Sequence, residues 1–424
     1  MRPSEHFIPC AVDELTERLA SDPNLVDDSD GFRQFADKLI AYQRRCADLL
    51  AGPVKAAFAQ IDPDSEFPPD PKADQAEITA EIAAGFERLC RAANFRAYNE
   101  QELAEAMATA SLVPVVTQVA FNDFSRIQLF YRGDDFIDVE VPGRIGRRQV
   151  QVDNLRRVAM LLEVRQGRYF EALGVNAAQL GVQPGKTYLF LYKNIPRNDL
   201  ELLFPNVKVS MTWVDRLLFW IPAGLGLAPL TLKVLPSLVL LLAAAAAMLA
   251  GPEAVRFFGV SVDQNLQLYP ALAAASTLAL LLGAFAMRQY SSFKHRRLRF
   301  LKRVTDTLFF KHLATNSAAL SALADIAEQE LIKELLLIFC ILQASSTPLS
   351  RQELDARVES WVKQNLHLAV DFEVDKTLGN VAHLEGRDDN AGRLIGLDEE
   401  QRYWVKGWQD LSGALDELWR RSNQ

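Results

Sequence analysis

Few features of this sequence are typical of an active site. Its 424 residues include four cysteines, which stand far apart and form no CxxC pair, and five histidines. No two histidines are four residues apart, the spacing with which one helix presents two zinc ligands. The cysteines are therefore expected to be reduced, structural thiols, and the sequence predicts neither a metal site nor a cofactor.

Motifs for nucleophilic catalysis and for phosphate binding are also missing. The sequence contains no GxSxG, no GxxxxGK[ST] and no GxGxxG behind an expected strand. The loop Val141–Arg148 is able to hold a phosphate, but a glycine- and arginine-rich loop is more often a solvated turn. Asp134 with Asp135, and Asp388 with Asp389, are placed in turns, where aspartate serves the backbone. We therefore predict no catalytic residue and expect a protein that is not an enzyme.

Long apolar runs without charge are the most prominent feature that is present. Leu266–Met287 is 22 residues long and has no charged side chain, and Val234–Ala250 is equally free of charge. A run of about 20 apolar residues is long enough to cross a bilayer as a helix. The sequence therefore predicts a two-helix transmembrane hairpin with spans of about 233–250 and 266–287. The alternative is that one of these segments is a buried helix of a soluble fold.

Basic residues around these runs predict their orientation. The connecting loop Gly251–Asn265 has no basic excess, whereas Lys and Arg residues flank both spans. Basic flanks remain on the inner side of a membrane, beside its anionic lipids. The expected location is the cell inner membrane, as a multi-pass protein with two spans and with N- and C-termini cytoplasmic. The broken apolar stretch 217–232 is interpreted as an interfacial or re-entrant lead-in, with a third span as the alternative.

Periodicity predicts the fold outside the hairpin. Helical spacing continues to about residue 110, strand-like alternation follows with a turn at Gly133–Asp135, and Val152–Arg165 returns to a helical pattern. Ser350 and Glu353 form a capping box that opens the second of three expected helices, and a hairpin follows the third. The predicted fold is an α+β cytoplasmic N-terminal domain, a transmembrane hairpin and a C-terminal winged-helix-like α/β module. The predicted domains are a helical region at 1–110, an α+β domain at 111–215, the hairpin at 216–288, a basic juxtamembrane and helical segment at 289–347 and the winged-helix-like domain at 348–424.

Several blocks of the sequence resemble a known family. YKNIPRNDLELLFP, FFKHLATNSAALSALADIAEQELIKELLLIF and LDARVESWVKQNLHLAVDFEVDKTLGNVAHL occur in an order that is similar to the transmembrane protein 143-like family. The resemblance implies a membrane protein whose shared domain has no assigned function. It also implies an association of the eukaryotic members with mitochondria or plastids, and it supplies no catalytic residue.

One polar cluster beside the predicted hairpin is a candidate contact for a lipid headgroup or a phosphate. Its members are charged or amide side chains that the hairpin prediction places at a similar distance from the membrane: Lys193, Asn194, Arg197, Asp199, Glu201, Arg296, Arg297, Lys302, Arg303, Lys311 and Asn316. Arg197 and Glu201 are four apart and are expected to pair on a short helix. The simpler interpretation is a capped amphipathic helix that docks on its own domain.

Charge separates the possible uses of the C-terminal segment. From Pro348 to Gln424 there are 15 acidic and 10 basic residues, so this segment repels the phosphates of nucleic acid. No nucleic-acid partner is expected. The predicted function is a non-enzymatic anchor or scaffold with membrane lipids and a protein partner or a second copy as its contacts. A self-associating channel or transporter component is the alternative, and a membrane-bound hydrolase is a weaker one.

Overall fold

The structure is a computed structural model that describes residues 5–66, 75–99, 116–142, 147–174, 181–210, 310–385 and 393–421, with isolated positions between 276 and 298. The chain divides into two compact units. The first comprises Met1–Leu112, Val119–Val207 and Phe310–Gln424, and the second comprises Val113–Gln118 and Lys208–Phe309.

The described strands pair antiparallel throughout. In chain order they are β1 (Arg96–Ala97), β2 (Val116–Gln118), β3 (Phe124–Pro142), β4 (Arg147–Val164), β5 (Thr187–Pro196), β6 (Lys208–Ser210), β7 (His312–Thr315), β8 (Ile395–Leu397) and β9 (Tyr403–Val405). The first unit contains a five-stranded sheet with the order β1-β3-β4-β5-β7 and the small β8–β9 hairpin. The strands β2 and β6 form a separate pair in the second unit.

The helices whose bounds the structure gives lie in the first unit. They are α1 (Val12–Ala20), α2 (Ser29–Ala59), α3 (Gln75–Ala92), α4 (Gly167–Ala172), α5 (Asn316–Ala344), α6 (Arg351–Leu366), α7 (Val374–Glu385) and α8 (Trp408–Arg421). A single-turn 3-10 helix spans Phe121–Asp123, and a longer one spans Arg197–Leu203.

Helix α5 is the element around which this unit is built. Its residues from Leu335 to Leu342 are all buried, so this apolar run of eight residues is core. One hydrophobic core joins the C-terminal half of α5 to α1, α2, α6 and α8. A second core joins its N-terminal half to α3, the end of α2 and one face of the sheet. The N-terminal and C-terminal helices therefore share a core across a long separation in sequence.

The predicted membrane hairpin is contradicted. In the part of the chain that the structure describes, no helix is both long and apolar enough to cross a bilayer. The described helices of sufficient length are α2, α3 and α5. Each contains several charged side chains, and each packs as an amphipathic or core element of a folded unit. The predicted span at 233–250 lies outside the described residues, and that at 266–287 is described only at isolated positions. The predictions of two membrane spans and of an inner-membrane location are therefore wrong for the part of the chain that the structure describes.

The C-terminal segment has the predicted succession of helices and a hairpin. Ser350 caps α6 with a reciprocal bond to Glu353, which is the capping box expected from the sequence. Leu349 forms an isolated antiparallel bridge with Tyr403 of β9 beside the hairpin. This segment is not a free-standing module, because its apolar side chains lie in the core that also contains α1 and α2.

Candidate functional site

The structure separates the cluster that the sequence placed beside a membrane. Arg197 does not pair with Glu201; its Nη2 atom lies 2.7 Å from Oδ2 of Asp134 on β3, and its guanidinium lies 5.7 Å from the ring centre of Tyr131. Partial burial raises the pKa of Glu201. Arg197 therefore fastens the 3-10 helix onto the sheet.

Strand pairing does bring other members of the predicted cluster together, namely Lys193 and Asn194 on β5 and Lys311 directly before β7. β5 carries Lys193 and Asn194, and its neighbour Tyr192 is opposite His312 of β7. Burial lowers the pKa of Lys311, and the charge of Asp199 opposes that shift. These two parts of the cluster therefore meet at the β7 edge of the sheet.

Asn316 has a structural role at the start of α5. Its side chain is buried, its Oδ1 accepts a hydrogen bond of 3.1 Å from the backbone N–H of Leu189, and its Nδ2 donates one of 2.6 Å to Asp64. Its backbone is left-handed, with φ of 50°. Asparagine tolerates this conformation better than most residues do. The remaining predicted members of the cluster, Arg296, Arg297, Lys302 and Arg303, lie outside the described residues.

A buried ion network, which we name the α5 network, lies behind the N-terminal segment. Lys333 and Glu330 of α5 pair at 2.7 Å, and Arg132 of β3 lies 3.1 Å from the same carboxylate. The side chains of Glu330 and Lys333 are only 2% and 5% exposed. Glu330 accepts a hydrogen bond from the N–H of Ile8, and Lys333 donates to the carbonyl oxygens of Ile8 and Cys10. The network therefore holds the chain between Ile8 and Cys10 by its backbone.

A second set of buried polar groups extends from α5 to α7. Glu334 accepts hydrogen bonds from Asn94 at 2.7 Å and from the hydroxyl of Thr377 at 3.0 Å. Lys376 donates to Asn94 and lies 3.6 Å from Glu334. Burial raises the pKa of Glu334, while Lys376 and the two hydrogen-bond donors oppose that shift. These contacts turn the Lys376 ammonium inward.

An open groove runs between α6 and the segment 369–376. It consists of two successive depressions of about 600 and 550 Å³. We name it the acidic groove, because five carboxylates line it: Asp355, Glu359, Asp371, Glu373 and Asp375. Buried or nearly buried apolar side chains, among them Phe372 and Val374, form its floor.

Three cations also line the acidic groove and offset part of its charge: Arg351, Lys363 and Lys376. Arg351 pairs with Asp375, and Lys376 is turned toward Asn94. Partial burial raises the pKa of Asp355, and the neighbouring charges of Glu359 and Asp371 raise it further. The groove therefore has a surplus of negative charge.

His6 borders the same groove from the N-terminal segment. Its ring nitrogens lie 3.6 Å from Asp371 and 4.0 Å from Glu373. Burial lowers the pKa of His6, with Arg96 acting in the same direction against the two carboxylates. Its ring is therefore neutral near neutral pH and leaves the negative charge of the groove intact.

Sequence reasoning missed both the α5 network and the acidic groove. The signal for the network was present, because Glu330, Lys333 and Glu334 directly precede the apolar run of α5. Charged side chains are almost never fully buried unless they are paired. The groove left a weaker signal, since its carboxylates come from two segments that only the fold brings together. Among the described residues, no group of histidine, cysteine and carboxylate side chains is arranged to hold a metal ion.

The comparisons with known proteins assign no activity. Residues 124–318 match the model of a family described as a protein of unknown function (DUF3754). The match covers fewer than half of the 424 residues, from the start of β3 to the first residues of α5, and it does not include the acidic groove. No solved structure matches the chain. The resemblance to the transmembrane protein 143-like family stays a prediction.

Proposed function

We propose that this protein is a non-enzymatic interaction scaffold whose acidic groove binds a lysine- and arginine-rich segment of a partner protein. The observation that carries the proposal is the surplus of carboxylates over available cations in the groove. Asp371 and Glu373 are the most accessible, with side chains 59% and 63% exposed. A cationic segment would relieve the repulsion from Glu359 and Asp371 that adds to the effect of burial on the pKa of Asp355.

The charge of the surrounding surface favours a protein partner over nucleic acid. The segment from Pro348 to Gln424 carries five more acidic than basic residues. Phosphate attraction supplies most of the non-specific affinity for nucleic acid, and this surface opposes it. The negative charge of this surface increases the rate at which a basic peptide associates, and it makes binding specific for basic peptides.

The apolar floor adds a contribution that does not depend on charge. Phe372 and Val374 are nearly buried and stabilise the walls, so the groove keeps its shape without a ligand. Each exposed ion pair contributes about 0.2–1 kcal/mol at moderate salt. The methylene stems of lysine and arginine pack on apolar surface while their charged ends reach carboxylates. We expect binding that is modest and strongly salt-dependent.

The test is titration of the full chain with a fluorescein-labelled peptide of alternating Lys, Arg and Ala. In the Asp371→Asn and Glu373→Gln double variant we expect affinity to fall on the order of tenfold, equivalent to about 1.4 kcal/mol. A matched control removes two exposed carboxylates elsewhere in the same segment, Glu399→Gln with Asp410→Asn, and should change affinity less than about twofold.

Two results would overturn the proposal. Equal losses in the groove variant and in the control would mean that the peptide responds only to net charge. An absence of saturable binding to the unmodified chain at low salt would mean that the groove does not take cationic segments at all.

A further inference from the structure

The N-terminal segment Glu5–Cys10 lies in a groove that is separate from the acidic groove although the two share an edge. The N–H of Glu5 donates to the carbonyl of Ala369 at 3.0 Å, and the N–H of Asp371 donates to the carbonyl of Glu5 at 2.9 Å. Glu5 and Val370 form a parallel bridge. The segment thus begins as a strand added to the backbone at 369–371, a common way to bind an extended peptide.

Charged side chains continue the recognition where this pairing ends. Glu330 accepts the N–H of Ile8 at 3.2 Å, and Lys333 reaches the carbonyl of Cys10 at 3.2 Å as well as that of Ile8. All three contacts are made to backbone atoms, so they are available to any extended segment. They come from Glu330 and Lys333 of α5, whose side chains are at least 95% buried when the segment is in place.

Two side chains of the segment supply the specific part of the contact. The ring of Phe7 lies under the guanidinium of Arg132, 4.3 Å from its carbon, and 5.9 Å from that of Arg156. Ile8 is 1% exposed and belongs to the main hydrophobic core. An aromatic residue followed by an aliphatic one therefore fits this groove, the first through cation–π contact and the second through burial.

Each charge of the α5 network has a partner within the network, although Glu5 of the segment adds a further favourable charge near Arg132. Lys333 and Arg132 each pair directly with Glu330. A buried charge without a partner would make the free energy of the empty groove very unfavourable. Charges that are already paired need only water molecules in place of the peptide backbone. The α5 network can therefore release the segment and accept another.

We propose that this groove is a peptide-binding site, that Glu5–Cys10 is its resident ligand, and that an extended partner segment with an adjacent aromatic and aliphatic residue displaces it. The proposal goes beyond the scaffold function and does not depend on the acidic groove. In this proposal the α5 network binds the peptide backbone through hydrogen bonds.

The test uses the full chain and a fluorescein-labelled peptide with the sequence of residues 4–11, in which serine replaces the cysteine. In the Phe7→Ser and Ile8→Ser double variant, the weakened resident segment should let the peptide bind at least tenfold more tightly than it binds the unmodified chain. A control peptide with serine at both positions should not bind. Near-UV circular dichroism establishes that the variant is folded.

A second readout needs no variant. Displacement of the segment should expose the thiol of Cys10, so excess peptide should accelerate its alkylation several-fold while that of Cys46 on α2 stays constant. Dimerisation that the free peptide reverses would also support the proposal, since a second copy then supplies the segment. If the peptide neither binds the folded variant nor accelerates alkylation of Cys10, the segment is a fixed part of the fold and the proposal is wrong.

Discussion

Replacement of Lys333 by methionine tests the energetic role of the α5 network. Methionine keeps much of the length of the side chain but removes the ammonium, and with it the pair to Glu330 and the bonds to the carbonyls of Ile8 and Cys10. Loss of one partner from a buried ion pair costs roughly 3–5 kcal/mol, because the other charge stays buried. Arg132 remains 3.1 Å from Glu330, so we expect the lower end, about 3 kcal/mol.

The assay is a urea titration in which hydrogen exchange of the α5 amides reports unfolding of the first unit. Lys406→Met is the matched control, because this lysine is exposed, and it should change the free energy of unfolding by less than about 0.5 kcal/mol. Combining Lys333→Met with Glu330→Gln should cost about 1–3 kcal/mol less than the sum of the single changes. A cost below about 1 kcal/mol for Lys333→Met, or strict additivity in the double variant, would refute the reasoning.

Three further predictions concern other buried or paired groups. Gln43 is buried, and both polar atoms of its side chain lack hydrogen-bond partners. Gln43→Leu should therefore raise the free energy of unfolding by about 1–2 kcal/mol in the same urea titration. Gln34 is exposed, so the control Gln34→Leu should leave the free energy of unfolding nearly unchanged. Burial raises the pKa of Glu334, so ionisation of this carboxyl destabilises the native protein as the pH increases. The stability of Glu334→Gln relative to the parent should therefore increase between about pH 4 and pH 8. A difference that stays constant over this range would contradict the prediction. Arg197 and Asp134 should show a coupling of about 0.5–1 kcal/mol in a double-mutant cycle, and a value near zero would mean that their contact does not hold the 3-10 helix.

Local sequence rules located much of the helical part of the fold. Apolar residues at three- and four-residue spacing predicted α1, α2 and α3, and the capping box at Ser350 predicted the start of α6. The short apolar run from Leu335 to Leu342 lies in a core, and the charged residues directly before it are a local signal of that position. These signals depend only on residues that are close in sequence, so they can be recognised without knowledge of the tertiary structure.

The sheet was harder to predict because β4 is buried on both faces over part of its length. Val158, Met160 and Leu162 on one side alternate with Ala159 and Leu161 on the other, and all are fully buried. Such a continuous apolar run cannot be distinguished from a helix by periodicity, so the helical interpretation of 152–165 was wrong.

Two further corrections concern local geometry around Arg197. The expected turn at 133–135 is absent, because β3 continues from Phe124 to Pro142 and leaves Asp134 within the strand. The expected pair with Glu201 assumed an α-helix, whereas Arg197–Leu203 is a 3-10 helix. Residues four apart in a 3-10 helix are separated by about 120° around its axis and do not face each other. Arg197 therefore turns to the sheet instead.

The acidic groove could not be predicted from the sequence because its two walls come from separate segments, and no single sequence pattern includes both. α6 supplies Asp355 and Glu359, and the segment after it supplies Asp371 and Glu373. The sequence revealed the acidic balance of the whole segment and so favoured protein over nucleic acid as a partner. Which carboxylates act together depends on their position against α6 and on the inward turn of Lys376.

Hydrogen exchange of the full chain, with and without the Lys/Arg/Ala peptide at low salt, tests the central claim most directly. The account predicts slower exchange in α6 and in the segment 369–376, with the sheet edge at β7 unchanged, and it predicts that the effect disappears in the Asp371→Asn and Glu373→Gln variant. Protection confined to other parts of the chain, or equal protection in the variant, would contradict the assignment of the acidic groove as the interaction surface.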